Sequence, residues 1–137
     1  MFNNSYQTQR AAIENYFKSV WNDTTIILWE NTRQTPPNST YVHVSTTNGL
    51  AQATSLGTTQ IHKSVGIFTV QLFVKKGAGL GEAYNLADII VNAFSHKQLD
   101  SIQFQIPNIT EVGEIDEFYQ LNVSCPFYRN RLFIQNS

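Results

Sequence analysis

Charge is scarce in this chain of 137 residues: Asp, Glu, Lys and Arg together make up 14%, against about 25% in an average globular protein. Asn, Gln, Thr and Ser fill the gap. Such a surface stays hydrated without strong fields and meets other neutral surfaces at low desolvation cost. That fits a protein packed among partners. The basic residues are scattered (Arg10, Lys18, Arg33, Lys63, Lys75, Lys76, Lys97, Arg129 and Arg131) and the net charge is −1. No stripe of the kind that counterion-release binding to nucleic acid requires is formed.

Cysteine is nearly missing as well. Cys125 stands alone, which excludes an intrachain disulfide and a cysteine-based zinc site. The opening MFNNSYQTQR has no positive segment followed by an apolar one, so no signal peptide is expected. Apolar runs stay far below the ~20 residues of a membrane span. The chain is therefore expected to remain in a reducing compartment until it is assembled or released.

What is present is enough for one core. Apolar residues make up 42% and aromatics 12%, and a chain of this length buries roughly two-thirds of its unfolded surface. A single domain over 1–137 is the economical expectation. Ile13, Tyr16, Phe17, Val20 and Trp21 recur at helical spacing, which predicts a helix from Ser5, a suitable N-cap, to Trp21. Thr25–Trp29 reads as a short strand. Glu30–Thr40 is polar and carries Pro36-Pro37, which predicts a loop. Tyr41–Ser45 reads as a strand ending in a turn at Asn48-Gly49, and Leu50–Gln60 as a loop with at most a brief edge strand.

The clearest strand is Phe68–Val74, where Phe68, Val70, Leu72 and Val74 alternate with Thr69, Gln71 and Phe73. Glycines at 77, 79 and 81 separate it from a second helix, Leu80–Phe94, in which Ala83, Leu86, Ala87, Ile90, Val91 and Phe94 keep an unbroken i, i+3, i+4 rhythm. Glu82 in its first turn suits the helix dipole. Further alternations predict strands at Ile102–Ile106 and Tyr119–Cys125, with Pro126 marking an edge or an exit and Arg131–Gln135 a last short strand. The class is α+β, a mainly antiparallel β-sheet with two amphipathic helices packed on one face.

Chemistry is hard to place on this pattern. His96 and Asp100 span a helix end and a turn, where a surface contact outweighs a metal pair. His43 lies on the strand face opposite Val42 and Val44, which points it at solvent or an interface. Cys125 falls on the apolar side of its strand, with no base to activate it. Gly77-Ala78-Gly79-Leu80-Gly81 sits where a phosphate loop would, but it lacks both the dinucleotide fingerprint and the Gly-Lys-Ser/Thr ending of a P-loop. A tight strand-to-helix turn explains it better. The acidic segment Glu111, Glu114, Asp116 and Glu117 reads as an exposed, solvated connection, where carboxylates have little to act on. No catalytic residue, cofactor or metal is expected.

The block Gly66-Ile67-Phe68-Thr69-Val70-Gln71-Leu72, the glycine turn, Ala83-Tyr84-Asn85-Leu86-Ala87-Asp88-Ile89-Ile90 and the strand Phe118–Phe127, preceded by the leading helix, resemble the tail terminator proteins of long-tailed bacteriophages, also described as tail completion or minor tail proteins. The resemblance covers nearly the whole chain in element order. It implies a non-catalytic virion protein, assembled in the host cytoplasm into a hexameric ring at the head-proximal end of the tail. That ring would stop polymerisation of the tail tube protein and dock the head connector or stopper protein. DNA would pass through without sequence-specific contact, and no membrane would be involved. Another head–tail joining or minor tail protein, or a small ligand-binding α+β domain, is the competing reading.

A ring needs two different patches on each subunit. The Pro-Pro loop, the 46–60 segment and the C-terminal strand offer them, and the interface candidates are Arg33, Pro36, Pro37, Tyr41, His43, Ile67, Phe73, Arg129 and Arg131. Ile67 and Phe73 face away from the core and await cover, either from a neighbouring chain or from another part of this one. Lining the channel, Glu111, Glu114, Asp116 and Glu117 would repel DNA phosphates.

Overall fold

The computed structural model describes residues 6–30, 35–53, 59–77 and 79–134, with side chains described outside 50–53, 59–62 and 131–134. Helix α1 (Tyr6–Trp21) is followed by strands β1 (Ile26–Leu28), β2 (Tyr41–Ala53) and β3 (Thr59–Lys75), helix α2 (Leu80–Phe94), and strands β4 (Gln98–Leu99), β5 (Ile102–Phe104), β6 (Asn108–Ile115) and β7 (Phe118–Ile134). The strands make one sheet in the order β1-β2-β3-β7-β5-β4, with β6 also on β7. Only β1 and β2 pair in parallel; every other pair is antiparallel. The free side of β7 is shared along its length, 118–124 with β6 and 127–129 with β5.

Alternation in β3 decides which side becomes core. Phe68, Val70, Leu72 and Val74 are buried, whereas Val65 and Ile67 on the other side are 43% and 44% exposed. The buried set joins Val42 and Val44 of β2 and Leu121, Val123, Cys125 and Phe127 of β7 in one apolar layer. Ile13, Phe17 and Trp21 of α1 and Ala83, Leu86, Ala87, Ile90 and Phe94 of α2 cover it. Both helices therefore pack on the same face, as the two helical stripes predicted. A chain of rings ties the layers together: Phe17–Phe68 at 5.7 Å, Phe68–Phe94 at 5.4 Å, Phe94–Phe104 at 4.9 Å and Phe104–Phe127 at 5.4 Å.

Gly66 is a strand position where a side chain has no room. A Cβ there would lie 2.5 Å from Phe127 Cζ and 2.9 Å from the Thr47 carbonyl oxygen. The oxygen belongs to the backbone of β2, which cannot retreat without opening the β2–β3 ladder. Gly77 and Gly79, with φ of 107° and 91°, form the strand-to-helix turn at the start of α2, the structural role expected for them.

Several boundaries differ from the sequence reading. Asn48-Gly49 is no turn: β2 continues to Ala53, and the pairing with β3 absorbs a register shift between Asn48 and Ala51. The 50–60 segment is strand over 50–53 and 59–60, with 54–58 outside the described residues. Ile106 falls beyond β5, which ends at Phe104. Pro126 does not end β7 either. Its carbonyl accepts a hydrogen bond from the Gln105 N–H at 2.9 Å, and its missing donor falls in the gap where β7 passes from β6 to β5, so no ladder bond is lost. The acidic connection is strand β6, closed onto β7 through a turn at Asp116-Glu117 and bulged between Glu111 and Gly113 (φ 111°). Ser5 lies outside the described residues.

Candidate interaction surfaces

The sheet face opposite the helices carries no second layer among the described residues. At one end of it Tyr41 stacks on Phe73 at 4.7 Å, and both meet the ring edge of Phe118, at 5.4 and 6.4 Å. The two candidates are thus covered largely by their own chain, and Tyr41 is only 8% exposed. Beside them His43 is half-buried, with an Nδ1 that finds no hydrogen-bond partner. Tyr41, His43, Phe73 and Pro36 surround one cavity of about 270 Å³, together with Leu28, Trp29 and Gln71. Pro36 is exposed and Pro37 half-buried.

Ile67 belongs to a different patch. It lines a cavity of about 330 Å³ with Val65, Pro126, Phe127 and Tyr128, under Thr47–Gly49. Lys63 spans one side, with its Nζ 4.7 Å from the Tyr128 ring centroid. Arg129 is not on this face. Odd positions of β7 point to the helices, so Arg129 is 2% exposed and its guanidinium lies 5.6 Å from the Tyr6 ring. Strand parity, legible from Leu121 and Val123, carries that signal. Arg33 and the Arg131 side chain lie outside the described residues.

Glu111, Glu114 and Glu117 are engaged rather than bare. Glu111 accepts a hydrogen bond from the Tyr84 hydroxyl. Glu114 lies 3.6 Å from Lys76 Nζ, and Glu117 2.8 Å from Lys75 Nζ. Lys75 also donates to Asn38 Oδ1 at 2.6 Å and sits over the Phe118 ring. One cation thereby joins the β1–β2 loop to the β6–β7 turn. The hydrogen bond from Lys75, reinforced by its charge, holds the Glu117 carboxyl below its ordinary value. These pairs are solvent-exposed, so each is worth little for stability.

Among the described residues the candidate reactive groups stand apart from one another. Cys125 is buried, and burial pushes its thiol up to about 12. His96 is exposed in the turn after α2. Among the described residues no group of three or more His, Cys, Asp or Glu is placed to hold a metal ion. No helix among them is long and apolar enough to cross a membrane.

Sequence reading missed the exposed edge of the sheet. Ile106, Ile109, Val112 and Ile115 are 59%, 36%, 46% and 41% exposed, all on or beside β6. On the far edge Ile26 of β1 is 51% exposed. The signal was there: β-branched residues at every third position of a segment that is otherwise polar.

Comparison with known proteins supplies the family. No curated protein matches the chain. One solved structure superposes with a TM-score of 0.69 at 18% identity, covering 97% of this chain and 100% of its own; that likeness speaks for the fold alone. A family model described as phage tail terminator protein matches residues 9–124. With that match spanning both helices and most of the sheet, the chain belongs to the phage tail terminator protein family.

Proposed function

We propose that the chain assembles into a hexameric ring at the head-proximal end of the phage tail, where it halts growth of the tube and presents a docking surface to the head connector. The single observation that carries this is the family match over residues 9–124. The architecture agrees with it: a helix-backed sheet with one open face and apolar residues exposed along its free edges. Self-association, tube protein and connector are the partners, and the virion is the place of action. Of the interface candidates, Pro36, His43, Ile67 and Phe73 are the ones whose position on the open face suits contact with a partner.

Purified chain mixed with purified tube protein tests the reading. Rings in negative-stain images, alone or on one end of short tubes, are the expected outcome, with light scattering giving the mass of the ring. A strict monomer that leaves tube growth unchanged would overturn it.

Strand β6 and its turn onto β7, carrying Glu111, Glu114, Asp116 and Glu117, are the part we place toward the DNA passage. Like-charge repulsion keeps a phosphate backbone from adhering there. Neutralising all four with Gln or Asn is expected to slow DNA ejection; ejection at the parental rate would remove them from the channel.

A further inference from the structure

Among the described residues β1 ends the sheet on one side, and on the other side β7 is flanked along its length by β6 and by β5 with the two-residue β4; β1 and β6 are the edges that lie level. Registers across the sheet place these edges at the same height. Ile26 is level with Tyr41, Phe73, Gln120 and Gly113, and Leu28 with His43, Gln71, Asn122 and Thr110. Directions match too. β1 runs with β2; β2 and β7 both run against β3; β6 runs against β7. β1 and β6 therefore run oppositely, and two copies set side by side in the same orientation bring them together as an antiparallel pair.

Both edges expose apolar residues, Ile26 on β1 and Ile109, Val112 and Ile115 on β6, the last three interspersed with Glu111 and Glu114, and an uncovered edge of this kind is a site for strand pairing. On the β1 side the open stretch is delimited. Just past β1, the Thr46 N–H of β2 donates to Glu30 Oε1 at 3.2 Å, which closes that part of the edge. Beside β1 lies an open concavity of about 720 Å³, lined by Ile26, Ile27, Thr40, Lys18 and Glu82. It has room for the side chains of an incoming strand. The bulge at Val112 limits β6 to a short ladder, which matches a partner only three residues long.

We infer that the β1 edge of one copy pairs with the β6 edge of the next, so that the sheet runs continuously around the ring. This rests on the ring reading above and names the contact that builds it. A contact between two different patches either closes or spirals, depending on its rise. Level edges give little rise and favour closure.

The test is a double variant, Ile26→Cys with Val112→Cys, assembled with tube protein, then oxidised or bridged with a short bis-thiol linker that tolerates a one-residue offset. Buried Cys125 stays out of the reaction. The expected product on a non-reducing denaturing gel is a ladder rising beyond the dimer, with each single variant giving no more than dimer. Rings seen in images without that ladder would overturn this interface and leave the ring reading standing. Absence of rings even for the parent chain would overturn both. A second variant keeps the result independent of disulfide geometry. Val112→Lys, at an exposed site, is expected to remain monomeric where the parent assembles, while Ile89→Lys, on the exposed side of α2, still assembles. Assembly of Val112→Lys at the parental level would also contradict the inference.

Discussion

Phe94→Ala is expected to destabilise the fold by about 3–5 kcal/mol, the usual cost of truncating a buried aromatic. For a chain of this length that is a fall in Tm of roughly 10–17 °C. The reason is what the ring touches. Phe94 is fully buried at the end of α2. Its ring meets Tyr16 of α1 edge-on at 5.1 Å, Phe104 of β5 at 4.9 Å and Phe68 of β3 at 5.4 Å. Removing it leaves a void bordered by both helices and two strands. No single element can close that void by shifting, because Tyr16 is also held by its hydroxyl, which donates to the Ala93 carbonyl at 2.6 Å.

Phe73→Ala makes the comparison. That ring lies on the open sheet face, half-buried and stacked on Tyr41, so its loss should cost only about 1–2 kcal/mol, the range for partial apolar burial plus one ring pair. Chemical denaturation of the two variants decides it. Losses of equal size would mean that the open face holds a second core, and the account of one helix-backed core would fail.

How much of this was legible depended on whether burial or pairing defines each element. Leu80–Phe94 was read to the residue, because an unbroken helical stripe follows Gly77 and Gly79 and one face of it is buried. Phe68–Val74 was equally clear, since its alternation maps onto a helix-covered side and an open one. β6 was not legible. Asn108–Ile115 is exposed on nearly every residue, so it carries no period-two burial signal. It is a strand because β7 supplies hydrogen-bond partners across a tight turn, a non-local fact that local polarity conceals. The same reason explains why β3 and β7 run well beyond their apolar centres, and why Pro126 sits inside a strand. As for surfaces, Ile67 and Phe73 were placed on the correct face by parity, and Arg129 was misplaced by ignoring the parity of β7.

The second large effect concerns the assembled tail. A tube grows by adding subunits to an end whose surface is the same after every addition, so nothing in the tube itself makes one addition the last. A cap that binds that end and offers no further addition site removes the growing surface. Within this family assignment, the fold described here suits that role through an open face, free sheet edges and the carboxylates of β6 and its turn. Withdrawing the protein should therefore change length more than any other property of the tail, and loss of head joining should accompany that change.

The measurement that tests this most directly is the length distribution of tails assembled in its absence, scored by electron microscopy. Overlong tails with a broad distribution, and few joined to heads, are the result predicted. Tails of normal, narrow length without this protein would contradict the terminator role outright.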